Sequence, residues 1–221
     1  MSGTHAEKPS VLQHHFDNLG QQSDASTFGM WLFLVTEILF FGGLFTAYMI
    51  YRLSYPEAFA EASHMLNIQL GGLNTAVLIG SSLTMAMAVY AAQRGDRNRQ
   101  VIFLILTMVL GIVFLGVKSV EYSHKFQEGL IPGANFRFEG DAIHAQLFFS
   151  LYFVMTGLHA LHMIIGIGIM AVLTVWAAQG HYTKEYHTPI EASGLYWHFI
   201  DIVWIFLFPL LYLIDRHGAA H

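Results

Sequence analysis

The stretch QLFFSLYFVMTGLHALHMIIGIGIMAVLTVWAA, from Gln146 to Ala178, decides the class of this chain, because its 33 residues contain no Asp, Glu, Lys or Arg. About 20 helical residues suffice to cross a hydrocarbon core of about 30 Å. Four further apolar runs reach that length, at approximately Phe28–Tyr51, Leu73–Ala92, Val101–Tyr122 and Tyr196–Ile214. The runs are continuous and lack the period-two alternation of a barrel strand, which would set one face in lipid and the other in a lumen. Composition agrees: 55% of the 221 residues are hydrophobic, 11% are charged, and mean hydropathy is +0.50. A soluble domain carries about a quarter of its residues as Asp, Glu, Lys or Arg. The expected fold is therefore all-α, an integral membrane bundle of five transmembrane helices over residues 28–215. A polar N-terminal tail, 1–27, precedes it, and a short C-terminal tail, 216–221, follows.

The tail holds no signal-peptide pattern of charge, apolar core and small residues, so the first span is expected to direct insertion. A short interfacial segment is expected around Val11 to Phe16. The densest basic cluster, Arg94, Arg97 and Arg99, lies in the short turn between the second and third spans. Short basic loops stay on the cytoplasmic side, which puts the N terminus inside and the C terminus outside. The one long connection, Ser123 to Ala145, carries Gly129, Pro132, Gly133 and Gly140 and reads as a surface loop packed on the bundle rim or on a neighbour.

With no cysteine in the chain, a dicopper thiolate centre, an iron–sulfur cluster or a thiolate zinc site cannot be assembled from it alone. A net charge of −5 and the lack of a basic face argue against nucleic acid as a partner. What remains to carry chemistry is a set of polar residues inside apolar runs, where each is costly unless it faces protein.

Glu37 stands nine residues into the first run, about 13 Å deep at 1.5 Å per residue. Two readings stay open for it: a proton-exchanging carboxyl group, or a neutral carboxyl bonded to a neighbouring helix. Gly42 and Gly43, just beyond it, would let another backbone approach. His159 and His162 share a face of the fourth span, as do His198 and Asp201 of the fifth, each pair at i, i+3. Histidines so placed can ligate a metal or haem, but the spacing supplies no facing ligand, and interhelical hydrogen bonding is the preferred reading. Gly166 and Gly168 favour close packing there. Glu121 ends the third run beside Tyr122 and His124, where a solvated helix end is the default expectation.

Taken in order, Gly29-Met30-Trp31-Leu32-Phe33-Leu34-Val35-Thr36-Glu37, Leu73-Asn74-Thr75, Gly95-Asp96-Arg97, Glu121-Tyr122, Thr156-Gly157-Leu158-His159-Ala160-Leu161-His162 and Tyr196-Trp197-His198-Phe199-Ile200-Asp201-Ile202-Val203-Trp204 resemble subunit III of the haem-copper respiratory oxidases. The likeness covers about residues 25–215, and it is to the short, five-helix bacterial form of cytochrome c oxidase subunit III. It implies a non-redox accessory subunit in a bacterial cytoplasmic membrane. Such a subunit contacts catalytic subunit I, which carries the haems and copper, and assembles with subunit II and with small subunits or a larger respiratory assembly. It also implies that the subunit sustains proton uptake by subunit I, protects the oxygen-reducing centre during turnover and binds phospholipid. Glu37 matches the family's buried, carbodiimide-reactive carboxylate. Glu121, His159, His162, His198 and Asp201 match its recurrent intramembrane polar positions, with structural rather than catalytic roles. The seven-span members carry an N-terminal hairpin that is missing here, so its lipid sites do not transfer.

Quinol oxidases share the five-span form, although Glu37 and Leu73-Asn74-Thr75 look more like the cytochrome c branch. Two other classes compete: a stand-alone haem-binding membrane cytochrome using His159, His162 or His198, and a proton-coupled transporter around Glu37. The transporter lacks the paired broken helices or inverted repeat that many transporters show.

Overall fold

A computed structural model describes residues 12–133 and 136–214. Six helices follow in chain order: α1 (Leu19–Ser54), α2 (Pro56–His64), α3 (Ile68–Arg94), α4 (Arg97–Gln127), α5 (Ala142–Gln179) and α6 (Thr188–Tyr212). All but the short α2 are long and apolar enough to cross a membrane. Each of the five matches one of the apolar runs, but every helix starts earlier than the run it contains. Hydropathy marks the part of a helix that lipid can accept, whereas the backbone obeys its caps. Asn18 accepts from the Gln21 amide at 2.8 Å and starts α1 in the middle of the polar tail, nine residues before Phe28. Asn67 starts α3 in the same way, accepting from Gln69 and Leu70, and Asp96 starts α4 by accepting from Arg99. Asp141 caps α5 and is held below the usual carboxylate range, chiefly by its hydrogen bond with the His144 side chain. Gly95 and Gly180 end α3 and α5 in the left-handed region, at φ 71° and 81°.

Residues 12–18, which include most of the expected interfacial segment, form turns and bends; Val11 and the C-terminal tail lie outside the described residues. The long connection is shorter than expected, because α4 runs on to Gln127 and α5 begins at Ala142.

One end of the bundle gathers the C-terminal ends of α1, α4 and α6 with α2 and the starts of α3 and α5. The last carbonyls of α6, orphaned by the end of the helix, are taken up there by two side chains. Tyr48 of α1 donates to the Leu210 carbonyl at 2.6 Å, and Ser63 of α2 donates to that of Leu211 at 2.8 Å. At the opposite end Thr188 and Ser23 join the starts of α6 and α1.

The core lies where α3, α4, α5 and α6 meet, and α1 is peripheral. Its buried apolar positions are only Leu34, Phe41 and Tyr48, one stripe seven residues apart, while Phe28, Leu32, Leu39 and Leu53 point outward. Trp197 of α6 is fully buried at the centre. Its ring lies against the α-carbon positions of Gly111 on α4 and Gly166 on α5, where an added Cβ would come within 2.9 and 3.1 Å of it. Its indole N–H reaches the Ser81 hydroxyl on α3 at 3.1 Å. Gly166 thus serves close packing, but a Cβ added at Gly168, Gly42 or Gly43 would meet nothing within 4 Å, so among the described residues no other helix packs closely on the glycine pair after Glu37.

Candidate functional site

The polar residues of the spans fall into three groups. The first is on α4, where the buried stripe Leu104, Thr107, Gly111, Phe114, Lys118, Glu121, Lys125 keeps alternating steps of three and four. Uncharged residues fill its first half and charged ones its second. Lys118 and Glu121 are 3% and 1% exposed. The Lys118 ammonium spends its three protons on Glu121 at 3.0 Å, Tyr152 of α5 at 3.2 Å and Tyr212 of α6 at 2.8 Å. The hydroxyls of Tyr152 and Tyr212 each donate onward to the other Glu121 oxygen. Every proton of the four groups has an acceptor, and the cluster is neutral. The ring centroids of Tyr122, Tyr152, Trp204 and Tyr212 surround the ammonium at 5.1–5.5 Å. Glu121 is therefore not a solvated helix end: α4 continues for six residues beyond it, and its carboxylate ties together α4, α5 and α6. Lys118 was not among the residues expected to matter. The signal was present, since it is the first charge after Arg99 in an otherwise apolar run and stands three residues before Glu121.

The second group joins α1 to α5. His162 Nδ1 lies 2.8 Å from the Leu158 carbonyl, an acceptor, so Nδ1 carries a proton. Nε2 faces a Glu37 carboxyl oxygen at 3.2 Å. The contact consequently needs one proton held between the pair, on the carboxyl oxygen or on Nε2. Both side chains keep some exposure, 18% for Glu37 and 14% for His162. Glu37 is at the middle of α1 and His162 near the middle of α5. His159, one turn away, turns elsewhere: its Nε2–H donates to the Ile200 carbonyl of α6 at 3.2 Å, with Phe114 and Trp204 packed on its ring.

The third group lies between α3 and α6. His198 donates from Nε2 to the Ser82 carbonyl at 3.1 Å. Asp201 is 4% exposed. The Ser82 hydroxyl approaches it, yet neither carboxyl oxygen completes a hydrogen bond of ordinary geometry. Although His198 and Asp201 share a face, they do not bond to each other. The same seam holds two structural bonds, Trp197 to Ser81 and Trp204 to Thr75. Asn74 reaches the Phe114 carbonyl on α4.

Among the described residues no three His, Cys, Asp or Glu side chains come together as metal ligands would. His159, His162 and His198 each direct a ring nitrogen at a main-chain carbonyl. The arrangement holds helices together and, at Glu37, holds a proton at mid-depth near the bundle surface.

Comparison with known proteins agrees with this picture of a helical subunit. The family model described as cytochrome c oxidase subunit III matches residues 13–215. Cytochrome c oxidase subunit 3 of a Synechocystis strain is 38% identical over 194 residues, covering 86% of this chain and 76% of the relative. The protein of the same name from Thermostichus vulcanus is 31% identical over 202 residues, covering 90% and 92%. A probable quinol oxidase subunit 3 from Staphylococcus haemolyticus is 28% identical over 198 residues, covering 90% and 93%. Five membrane-length helices, the intramembrane polar residues of α1, α4, α5 and α6, and a match over nearly the whole length converge on one conclusion: the chain belongs to the cytochrome c oxidase subunit III family of haem-copper oxidases, as a multi-pass membrane subunit.

Proposed function

We propose that this chain is the non-redox accessory subunit of a proton-pumping cytochrome c oxidase, supporting proton uptake and turnover stability of catalytic subunit I. The observation that carries the reading is the Glu37–His162 pair, which needs one shared proton for its 3.2 Å contact and remains partly open at the bundle surface. A group that can pass its proton between two neighbouring acceptors is suited to exchange it with a partner's pathway. The Lys118–Glu121 cluster, by contrast, is closed and satisfied, and its role is structural. Cytochrome c is favoured over quinol as donor by Glu37 with Leu73-Asn74-Thr75, and two of the relatives bear the cytochrome c oxidase name. The donor itself would bind other subunits. Phospholipid along the exposed face of α1 fits the same reading, as does N-terminus-inside insertion from the arginines of the α3–α4 turn.

Oxidase purified with and without this chain provides the test. The preparation lacking the chain is expected to keep its haems and its initial oxygen reduction, but to take up protons more slowly and lose activity over successive turnovers. Glu37→Gln is expected to leave assembly intact and to lower steady proton uptake no more than a few-fold. Equal turnover lifetimes with and without the chain would refute the supporting role, and complete loss of oxygen reduction in Glu37→Gln with subunit I intact would make the residue catalytic instead.

A further inference from the structure

Hydrogen bonds tie α1 to its neighbours at three levels. Near its start Thr188 of α6 donates to Ser23 at 3.0 Å, near its end Tyr48 donates to the Leu210 carbonyl at 2.6 Å, and between them Glu37 meets His162 of α5 at 3.2 Å. Glu37 is fourteen residues from the first tie and eleven from the last, about 16–21 Å along the helix from either. The outer two bonds are made by hydroxyl protons, whereas the middle one depends on a proton that a carboxylate and an imidazole can give up. Little else holds the middle of α1. Its buried apolar positions are Leu34, three residues before Glu37, Phe41, four after it, and Tyr48. In a bilayer, lipid tails replace apolar contacts at small cost, so close packing and interhelical hydrogen bonds decide whether a helix stays docked.

Because His162 commits its Nδ1 proton to the Leu158 carbonyl, loss of the shared proton leaves an Nε2 lone pair facing a carboxylate oxygen at 3.2 Å. That contact is repulsive, and an unpaired carboxylate within the membrane is costly. No neighbouring group supplies a replacement proton. From α6, Tyr196 donates to the His162 carbonyl at 3.1 Å, and from α5, His159 donates to that of Ile200. Lys118 and Glu121 of α4 are bound to each other, and Glu57, Glu61 and His64 of α2 lie at the end of the bundle. Parting of the two helices relieves the contact by letting water reach both side chains, which already keep 18% and 14% exposure. We propose that the proton shared by Glu37 and His162 is a latch: with it α1 is closed on α5 in mid-span, and without it the seam opens there while both ends of α1 stay tied. The latch rests on the proton-exchange reading of this pair and adds that its occupancy moves a helix.

The test places spin labels on this chain in the intact oxidase and reads their separation by electron paramagnetic resonance. The chain has no cysteine of its own, so Ile38→Cys with Leu161→Cys labels two exposed positions, each next in sequence to one member of the pair. Val35→Cys with Ile165→Cys reads the same seam should the first pair disturb assembly. Tyr51→Cys with Ile143→Cys, beside the stacked rings of Tyr55 and His144, reports on one tied end. Between about pH 5.5 and about pH 10, either side of the ordinary imidazole range, the mid-span separation is expected to lengthen by about 2 Å or more, the size of helix shifts that switch packed interfaces. The end pair is expected to stay constant. In Glu37→Gln the amide donates to Nε2 with a proton that does not titrate, so the mid-span separation should keep its acid value at both pH values. An unchanged wild-type separation overturns the latch, since a proton not released by then operates nothing, and so does equal lengthening in Glu37→Gln or at the tied end. If the separation never changes but Glu37→Gln slows proton uptake, the latch falls alone. If the seam opens as expected but Glu37→Gln takes up protons like wild type, the latch stands and the proton-supply reading falls.

Discussion

Lys118→Met is expected to destabilise the bundle by about 3–5 kcal/mol, the usual cost of removing one partner from a buried ion pair. The substitution removes three hydrogen bonds at once and leaves Glu121 as an uncompensated carboxylate at 1% exposure. Tyr152 and Tyr212 would still donate to Glu121, but phenols cannot neutralise it. The companion variant, Lys118→Met with Glu121→Gln, is expected to regain most of the loss, since a neutral amide accepts the same phenol protons and no charge remains in the core. Thermal unfolding in detergent, or the amount of chain retained in the assembled oxidase, would read both. If Lys118→Met unfolds like wild type, the ammonium is not confined among the three helices. If the double variant is no better than the single, the cost lies in lost packing and not in the stranded charge.

Trp197→Ala carries the second large effect. The indole fills the space that Gly111 and Gly166 leave open and ties α6 to Ser81 of α3, so its removal opens a cavity bordered by four helices. Truncating a buried aromatic of this size costs about 3–5 kcal/mol. The same geometry predicts the opposite error at Gly111. An added methyl there would sit 2.9 Å from a ring already backed by Gly166, and overpacking of that kind costs about 1–3 kcal/mol. Combining Gly111→Ala with Trp197→Phe should cost less than the sum of the two singles, because the smaller ring makes room for the methyl. Strict additivity would mean that the two positions do not press on each other.

Much of this fold was legible before any coordinates, for a physical reason: in lipid, only a backbone that satisfies its own hydrogen bonds can cross, so five apolar runs had to be five helices. The ends were harder to read. Gln21, Gln22, Ser23 and Asp24 look like tail by hydropathy, yet they are helical because Asn18 caps them from outside the membrane. Helix α2 left no apolar signature of membrane length. The i, i+3 faces of His159 with His162 and of His198 with Asp201 could be read from spacing, but the targets of those faces could not. Glu37 and His162 meet across 125 residues of sequence, and no local pattern carries such a pairing. Glu121 was misjudged because charge near the end of an apolar run looks like an exit to water. The heptad stripe through Phe114, Lys118 and Glu121 said otherwise, since it keeps the charges on the same inward face as the apolar core.

The central claim is that this chain serves an oxidase without holding its redox groups. The most direct test is to purify the tagged chain in mild detergent and record the visible spectrum before and after separating it from its companions. Haem absorbance that arrives with copper-bearing subunits and stays with them, leaving the isolated chain colourless, is the predicted result. A Soret band that remains with the isolated chain and is lost on replacing His159, His162 or His198 would contradict the account and make those histidines the site.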